Sequence, residues 1–169
     1  MFKQEKGITL VSLVITIIVM LILAGVSLSM VMGEGSVLNQ ATTAVDTTEL
    51  SSVKDEVGLA LGAAQTNYYA QYSNTTGRKD MNECILDLDK SEFTAAAAVK
   101  IHAPASGTGA LVYYLGNGNV YQCDLTITAN SVTQSEIKRV EKTADLKITA
   151  ADSDVIKTKG TVPADLNLD

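Results

Sequence analysis

The residues best suited to chemistry in this chain are few and scattered. His102 is the sole histidine, so any Ser-His-Asp or Cys-His relay would have to run through it. It opens the stretch HAPASGTG (102–109), which reads as a loop. The run DLDKSE offers Asp87, Asp89 and Glu92 as oxygen ligands of the kind that suit calcium. It departs from the EF-hand pattern, with Glu92 where glycine makes the turn and Ala98 where a bidentate glutamate closes the cage. A solvated acidic turn is the better reading. NTT (74–76) matches a glycosylation sequon, a triplet frequent by chance. Two cysteines, Cys84 and Cys123, complete the inventory. These residues lead to no expected catalytic group, metal site or cofactor, and the chain is not expected to be an enzyme.

Such side chains need elements to hold them, and the strongest element signal is apolar. From Ile8 to Met32, a run that includes most of KGITLVSLVITIIVMLILAG (6–25), there is no Asp, Glu, Lys, Arg, His, Asn or Gln. A helix over this run is roughly 37 Å long, against about 30 Å for a hydrocarbon core, so it can span a bilayer. It exceeds the roughly 7 to 15 apolar residues of an ordinary secretory signal and passes into SLSMVMGEGS rather than a small-residue cleavage site. Lys3 and Lys6 precede it against a single Glu5, which leaves the N-terminus in the cytoplasm and sends residues from about 33 onward outside.

Beyond the apolar run lie about 137 residues, the size of one domain with one core. GEGS (33–36) weakens a helix at Gly33 and Gly35 and offers Ser36 as a cap, so a kink or brief break is expected there. From Val37 to about Tyr72, the residues Leu38, Ala41, Val45, Val53, Val57, Ala60, Ala64 and Tyr68 recur at three- and four-residue spacings. This is an amphipathic helix with Glu49 as the one defect in its stripe. Gly58 and Gly62, each costing about 1 kcal/mol relative to alanine, make its second half the less secure one. YSNTTGRKD (72–80) reads as the stop.

The remainder is strand-like. LVYYL, GNGN and VYQCDLTIT (111–128) form a hairpin signal, with β-branched and aromatic residues on both sides of a Gly/Asn turn. In the second strand Tyr121, Cys123, Leu125 and Ile127 alternate with Gln122, Asp124, Thr126 and Thr128, one face buried and one wet. SEIKRVEK (135–142), DLKITA (145–150) and SDVIKTK (153–159) are weaker strand candidates. The expected fold is therefore α+β, a long N-terminal helix with an apolar and an amphipathic half, whose stripe over 38–68 covers one face of a C-terminal antiparallel sheet. Cys84 and Cys123 fall in the exported half, where a disulfide persists. A bridge closing a loop of about 40 residues would contribute roughly 4 kcal/mol in the chain-entropy model; the alternative is two separate buried thiols.

KGITLVSLVITIIVMLILAGVSL resembles the N-terminal cleavage and methylation segment of type IV pilins and pseudopilins, in particular the forms common in Gram-positive clostridia. The likeness is close over about residues 1–35, and the helix-then-sheet order matches that family; residues 75–169 carry no assignable motif. The resemblance implies a leader, 1–7, cut between Gly7 and Ile8 by a membrane-embedded aspartic prepilin peptidase that also methylates the new N-terminus at Ile8. It further implies an apolar membrane and assembly helix at 8–32, an amphipathic continuation at 33–72 and an extracellular β-rich head at 73–169. The implied partners are further copies of the chain in a helical filament, the prepilin peptidase, the pilus assembly platform and its ATPase, and the membrane before assembly. Two features depart from the family. Its major subunits usually carry Glu at the fifth position after the cut, where Ser12 stands here, and its usual proline about twenty residues into the mature chain is absent, which leaves Gly25 as the weak point of the helix.

Thr9, Ser12 and Thr16 share one helix face, to which Ala24 and Ser27 roughly return. Small and hydroxylated residues let apolar helices approach closely and bond across the contact; the alternative is that each hydroxyl bonds back to its own helix. The chain carries −6, and without residues 1–7, where Lys3 and Lys6 outweigh Glu5, it carries −7. That balance argues against a nucleic-acid partner, which requires clustered Lys and Arg. The function expected is a structural subunit of a type IV pilus or pilus-like filament at the cell surface. The alternatives are a minor pilin or pseudopilin of a type II secretion or DNA-uptake machine, and a bitopic membrane-anchored binding protein.

Overall fold

Helix α1 (Glu5–Met32) takes up the uncharged run and helix α2 (Val37–Ala70) the amphipathic one. The structure, a computed structural model, describes residues 5–32, 37–71, 76–148 and 156–168, with side chains at 10–29, 40–71, 76–148 and 157–168. The break expected at 33–36, the sequon residues Asn74 and Thr75 and the side chain of Leu38 lie outside them. The chain divides into two compact units, residues 1–47 and 48–169. In the first, Ala41 and Val45 are exposed.

Among the described residues the second unit, the head, contains α2 from Thr48 onward, a short helix α3 (Met81–Leu86) and six strands: β1 (Ala96–His102), β2 (Gly107–Leu115), β3 (Val120–Ile127), β4 (Val132–Gln134), β5 (Lys138–Val140) and β6 (Ile156–Gly160). All pairings are antiparallel, in the order β4-β3-β2-β1-β6, with β5 also on β3. The α+β class expected from the sequence is the one observed. Val53, Val57, Ala60, Leu61, Ala64 and Tyr68 bury one side of α2 against Val99, Ile101, Leu111, Tyr113, Tyr121, Cys123, Leu125 and Ile127. Helical spacing of three and four thus meets strand spacing of two, each buried large side chain contributing about 1.5 to 3 kcal/mol. The half of α2 that carries Gly58 and Gly62 is the half that holds the core.

Several local expectations change. Strand β1 has no counterpart among the expected elements: its alanines are helix formers by propensity, and it is a strand because it pairs with β2 on one side and β6 on the other. The loop expected at 102–109 shrinks to 103–106, since His102 ends β1 and Gly107 starts β2. Within DLKITA there is no strand at 145–148, where a 3₁₀ turn (Thr143–Asp145) leads to buried Ile148. The sheet is also covered on both faces. Ala98, Ala110, Val112, Tyr114, Val120 and Val140 form a second apolar cluster under Ile148, with Leu146, Val162, Leu166 and Leu168 packed on it. LVYYL is apolar at every position, so both of its faces need cover.

Glu49, a defect by periodicity, is an anchor. Its Oε1 accepts from Asn117 Nδ2 at 2.7 Å, and its Oε2 from Asn119 Nδ2 at 2.8 Å and Tyr121 OH at 3.2 Å. Seven residues on, close to two helical turns and so on the same face, Glu56 accepts from Thr94 Oγ1 at 2.5 Å, from the Ala95 N–H at 2.9 Å and from Tyr113 OH. Burial alone would raise the Glu56 carboxyl. The hydrogen bonds from Thr94, Tyr113 and Ala95, with the Lys90 charge, outweigh it and hold the group below its ordinary 4.5. Burial and the Glu56 bond together push the Tyr113 hydroxyl well above its ordinary value, so it stays a donor.

A carboxyl depressed on folding adds stability that is complete above its unfolded value of 4.5 and is lost as pH falls through the folded value. Glu56→Gln should therefore cost about 1 to 3 kcal/mol near neutrality and flatten the acid limb of the stability profile. Denaturant titrations between about pH 7 and pH 3 check it.

The glycines give a second expectation. Gly58 and Gly62 are exposed, and a Cβ at either would meet nothing within 4 Å. Alanine at each should stabilise the head by about 1 kcal/mol. Gly118 has φ +86°, and a Cβ there would lie 2.7 Å from the Asp165 carbonyl oxygen. Gly118→Ala should cost about 1 to 3 kcal/mol. Thermal unfolding of the full chain in detergent compares the three variants.

Candidate assembly helix

The leading candidate for function is α1. It is α-helical from Glu5 through Met32, Gly25 included, and none of its twenty residues from Leu10 to Ser29 is buried. Leu10 is 64% exposed and Met20 69%. The stretch is long and apolar enough to cross a membrane, its backbone bonded internally as a lipid environment demands. In water it would expose a continuous apolar rod, a surface compatible with insertion in a membrane.

Gly7, Ile8 and Thr9 fall within α1, and their side chains lie outside the described residues. Ser12 and Thr16 are exposed. Thr16 Oγ1 donates to the Leu13 carbonyl at 2.8 Å, and Ser27 Oγ to the Leu23 carbonyl at 2.8 Å. These are back-bonds to the helix itself. Gly25 leaves open space where a side chain would stand.

The other candidate residues are not gathered into one site. His102 ends β1, paired across to Ala110 and Ile156. Asp87 is ion-paired with Lys79, and Glu92 Oε2 accepts the Asp89 N–H at 2.6 Å, bracketing a 3₁₀ turn (Lys90–Glu92). Among the described residues no group of three His, Cys, Asp or Glu is placed to hold a metal ion. The same bracket recurs where Glu83 Oε2 accepts the Asp80 N–H at 3.0 Å at the start of α3. Asp80–Glu83 and Asp89–Glu92 both carry the spacing of a capping box, the signal by which the sequence could have revealed α3. For Glu49 and Glu56 the legible signal was two carboxylates close to two turns apart beside an apolar stripe.

In place of the bridge expected between Cys84 and Cys123, the structure holds two free, buried thiols, the alternative arrangement. They border the same apolar core from different elements. Cys84 is on α3, its Sγ accepting from Gln71 Nε2 at 3.6 Å, while Cys123 is on β3 beside Asp124 and Ser135, in a hollow that Lys147 also lines. Burial raises the Cys84 thiol despite the Gln71 bond. Burial, with the Asp124 charge added, pushes Cys123 up to about 12. Thiols held protonated in this way are poor nucleophiles.

Comparison of the chain with protein-family models, with curated proteins and with solved structures finds no match. The functional reading therefore rests on the residues and their geometry.

Both cysteines should resist maleimide in the folded chain near neutrality and react together on unfolding without reductant. Intact-mass measurement should count two labels on denatured protein; an unlabelled product would show a bridge.

Proposed function

We propose that this chain is a structural subunit of a type IV pilus or pilus-like filament. It is cut between Gly7 and Ile8 by a prepilin peptidase, methylated at Ile8, held in the cytoplasmic membrane by residues 8–32, and then moved into an extracellular filament by an assembly platform and its ATPase. The observation that carries this reading is an apolar helix exposed at every residue from Leu10 to Ser29, entered through a Lys-Gly pair and followed by a second compact unit. Such a helix can exchange lipid tails for the apolar helices of neighbouring copies with no change in its own bonds. Nothing in this role calls for a catalytic group or a cofactor.

Ser12 favours a second reading, a minor pilin or pseudopilin of a secretion or DNA-uptake machine. A carboxylate at that position would offset a neighbour's terminal ammonium, and a buried unpaired ammonium is costly. A hydroxyl can solvate such a charge but cannot neutralise it. The subunit then sits where that pairing is not required, and its abundance in sheared surface material distinguishes the two readings.

Mass spectrometry of native material should find a chain beginning at Ile8, N-methylated, and electron microscopy of sheared material should find filaments containing it. Only Met1 chains, or a cut near Gly25 or Gly33, would sink the proposal. Ser12→Leu should lower filament yield while leaving the membrane pool unchanged, and Ser12→Glu should match or exceed the parent. Unaltered yield from both would place the Thr9, Ser12 and Thr16 face away from the helix contacts.

A further inference from the structure

The sheet ends on one side in β6, and that edge is built unlike its neighbour. β6 is terminal in the order β4-β3-β2-β1-β6, and among the described residues no strand pairs with its outer side. Its register sets Lys159 against Val99 and Lys157 against Ile101. Directly paired residues project to the same face of a sheet, and Val99 and Ile101 are fully buried in the core beneath α2. The face that is apolar on β1 thus turns to lysine on β6, where Lys157 is exposed and Lys159 half-buried. The strand is also cut short. Gly160 has φ +84°, and a Cβ there would stand 2.4 Å from the Ala97 carbonyl oxygen, beside the register shift between Ala96 and Ala98.

We propose that Lys157 and Lys159 close the β6 edge to strand addition by a second copy of this chain. An edge strand presents unpaired N–H and C=O groups, a template on which another strand can add. A two-fold antiparallel pairing centred on Thr158 would set Lys157 of each copy opposite Lys159 of the other, which makes two like-charge pairs at cross-strand distance. A foreign apolar strand extending the core face would instead take the ammonium groups out of water beside it. The geometry carries this inference whether or not the chain forms filaments through α1.

The test uses the full-length chain in lipid nanodiscs holding one copy each, with light scattering and hydrogen exchange followed as concentration rises. Lys157→Thr/Lys159→Val should associate through β6, its association constant raised on the order of tenfold or more, with β6 amides gaining concentration-dependent protection. Lys157→Arg/Lys159→Arg keeps both charges and should behave as the parent. Tyrosine circular dichroism checks that the variants are folded. Lys157→Gln/Lys159→Gln, which removes charge with less change of shape, carries the same expectation if the first variant unfolds. A folded neutral variant that exchanges and scatters as the parent overturns the proposal, as does association of the arginine variant to the same extent. Failure of both neutral variants to fold would make the lysines part of the fold itself and overturn it too.

Discussion

A buried amide whose polar atoms all find partners ties together the elements that supply them, and the head has one at Asn119. Asn119 is the one polar side chain buried among the described residues. Its Nδ2 donates to Glu49 on α2, its Oδ1 accepts from Arg139 on β5 and Asn167 in the C-terminal segment, and its backbone N–H donates to Asn117 Oδ1. Leaving one such group unpaired in the interior costs about 1 to 3 kcal/mol. The partners of Asn119 thus come from the hairpin turn, the helix, an outer strand and the C-terminal segment. Apolar burial supplies most of the driving force, but it is non-directional. The amide and the Glu49 and Glu56 carboxylates add direction, holding α2 at one height and one rotation on the sheet.

That division of labour recurs on the other face of the sheet. There the apolar residues of β1, β2 and β3 would be open to water if the chain ended at β5. The C-terminal residues Val162, Leu166 and Leu168 pack on that face, and Asn167 ties them to the turn through its backbone N–H to Gly118 and its Nδ2 to Asn117. Gly118 is the position where only glycine fits both the left-handed backbone and the approach of Asp165. Leu146 and Ile148 share in covering that face, and the hairpin turn receives the segment carrying Asn167 in a set geometry.

The two units differ in physical character. The head buries two apolar clusters on the faces of its sheet and raises both cysteine thiols beyond easy reaction. Helix α1 closes only its backbone and leaves its side chains for another solvent. A filament subunit, as proposed, would need this contrast: one part that trades partners and one that keeps its fold during the trade. An edge strand that resists pairing, as proposed for β6, would help crowded heads remain separate while apolar helices associate.

How much of this was legible depended on the range of the cause. Composition alone determined the spanning length of α1, because the absence of any charged residue from Ile8 to Met32 is a local fact needing no partner. The β2–β3 hairpin and the alternation from Tyr121 to Ile127 were likewise readable, since a glycine-rich turn and a period of two are properties of neighbours in sequence. The sequence left Ala96–His102 ambiguous, because alanine favours helix and only pairing to strands on both sides makes it β1. Glu49 looked like a flaw in a stripe until the turn some 70 residues away came to lie against it. Cys84 and Cys123 shared a compartment and an apolar core, yet whether two thiols face each other is decided by the elements that carry them. Periodicity within the chain reports which side of an element is apolar; what that side meets, and which polar groups must accompany it, is settled by packing between segments that the sequence keeps far apart.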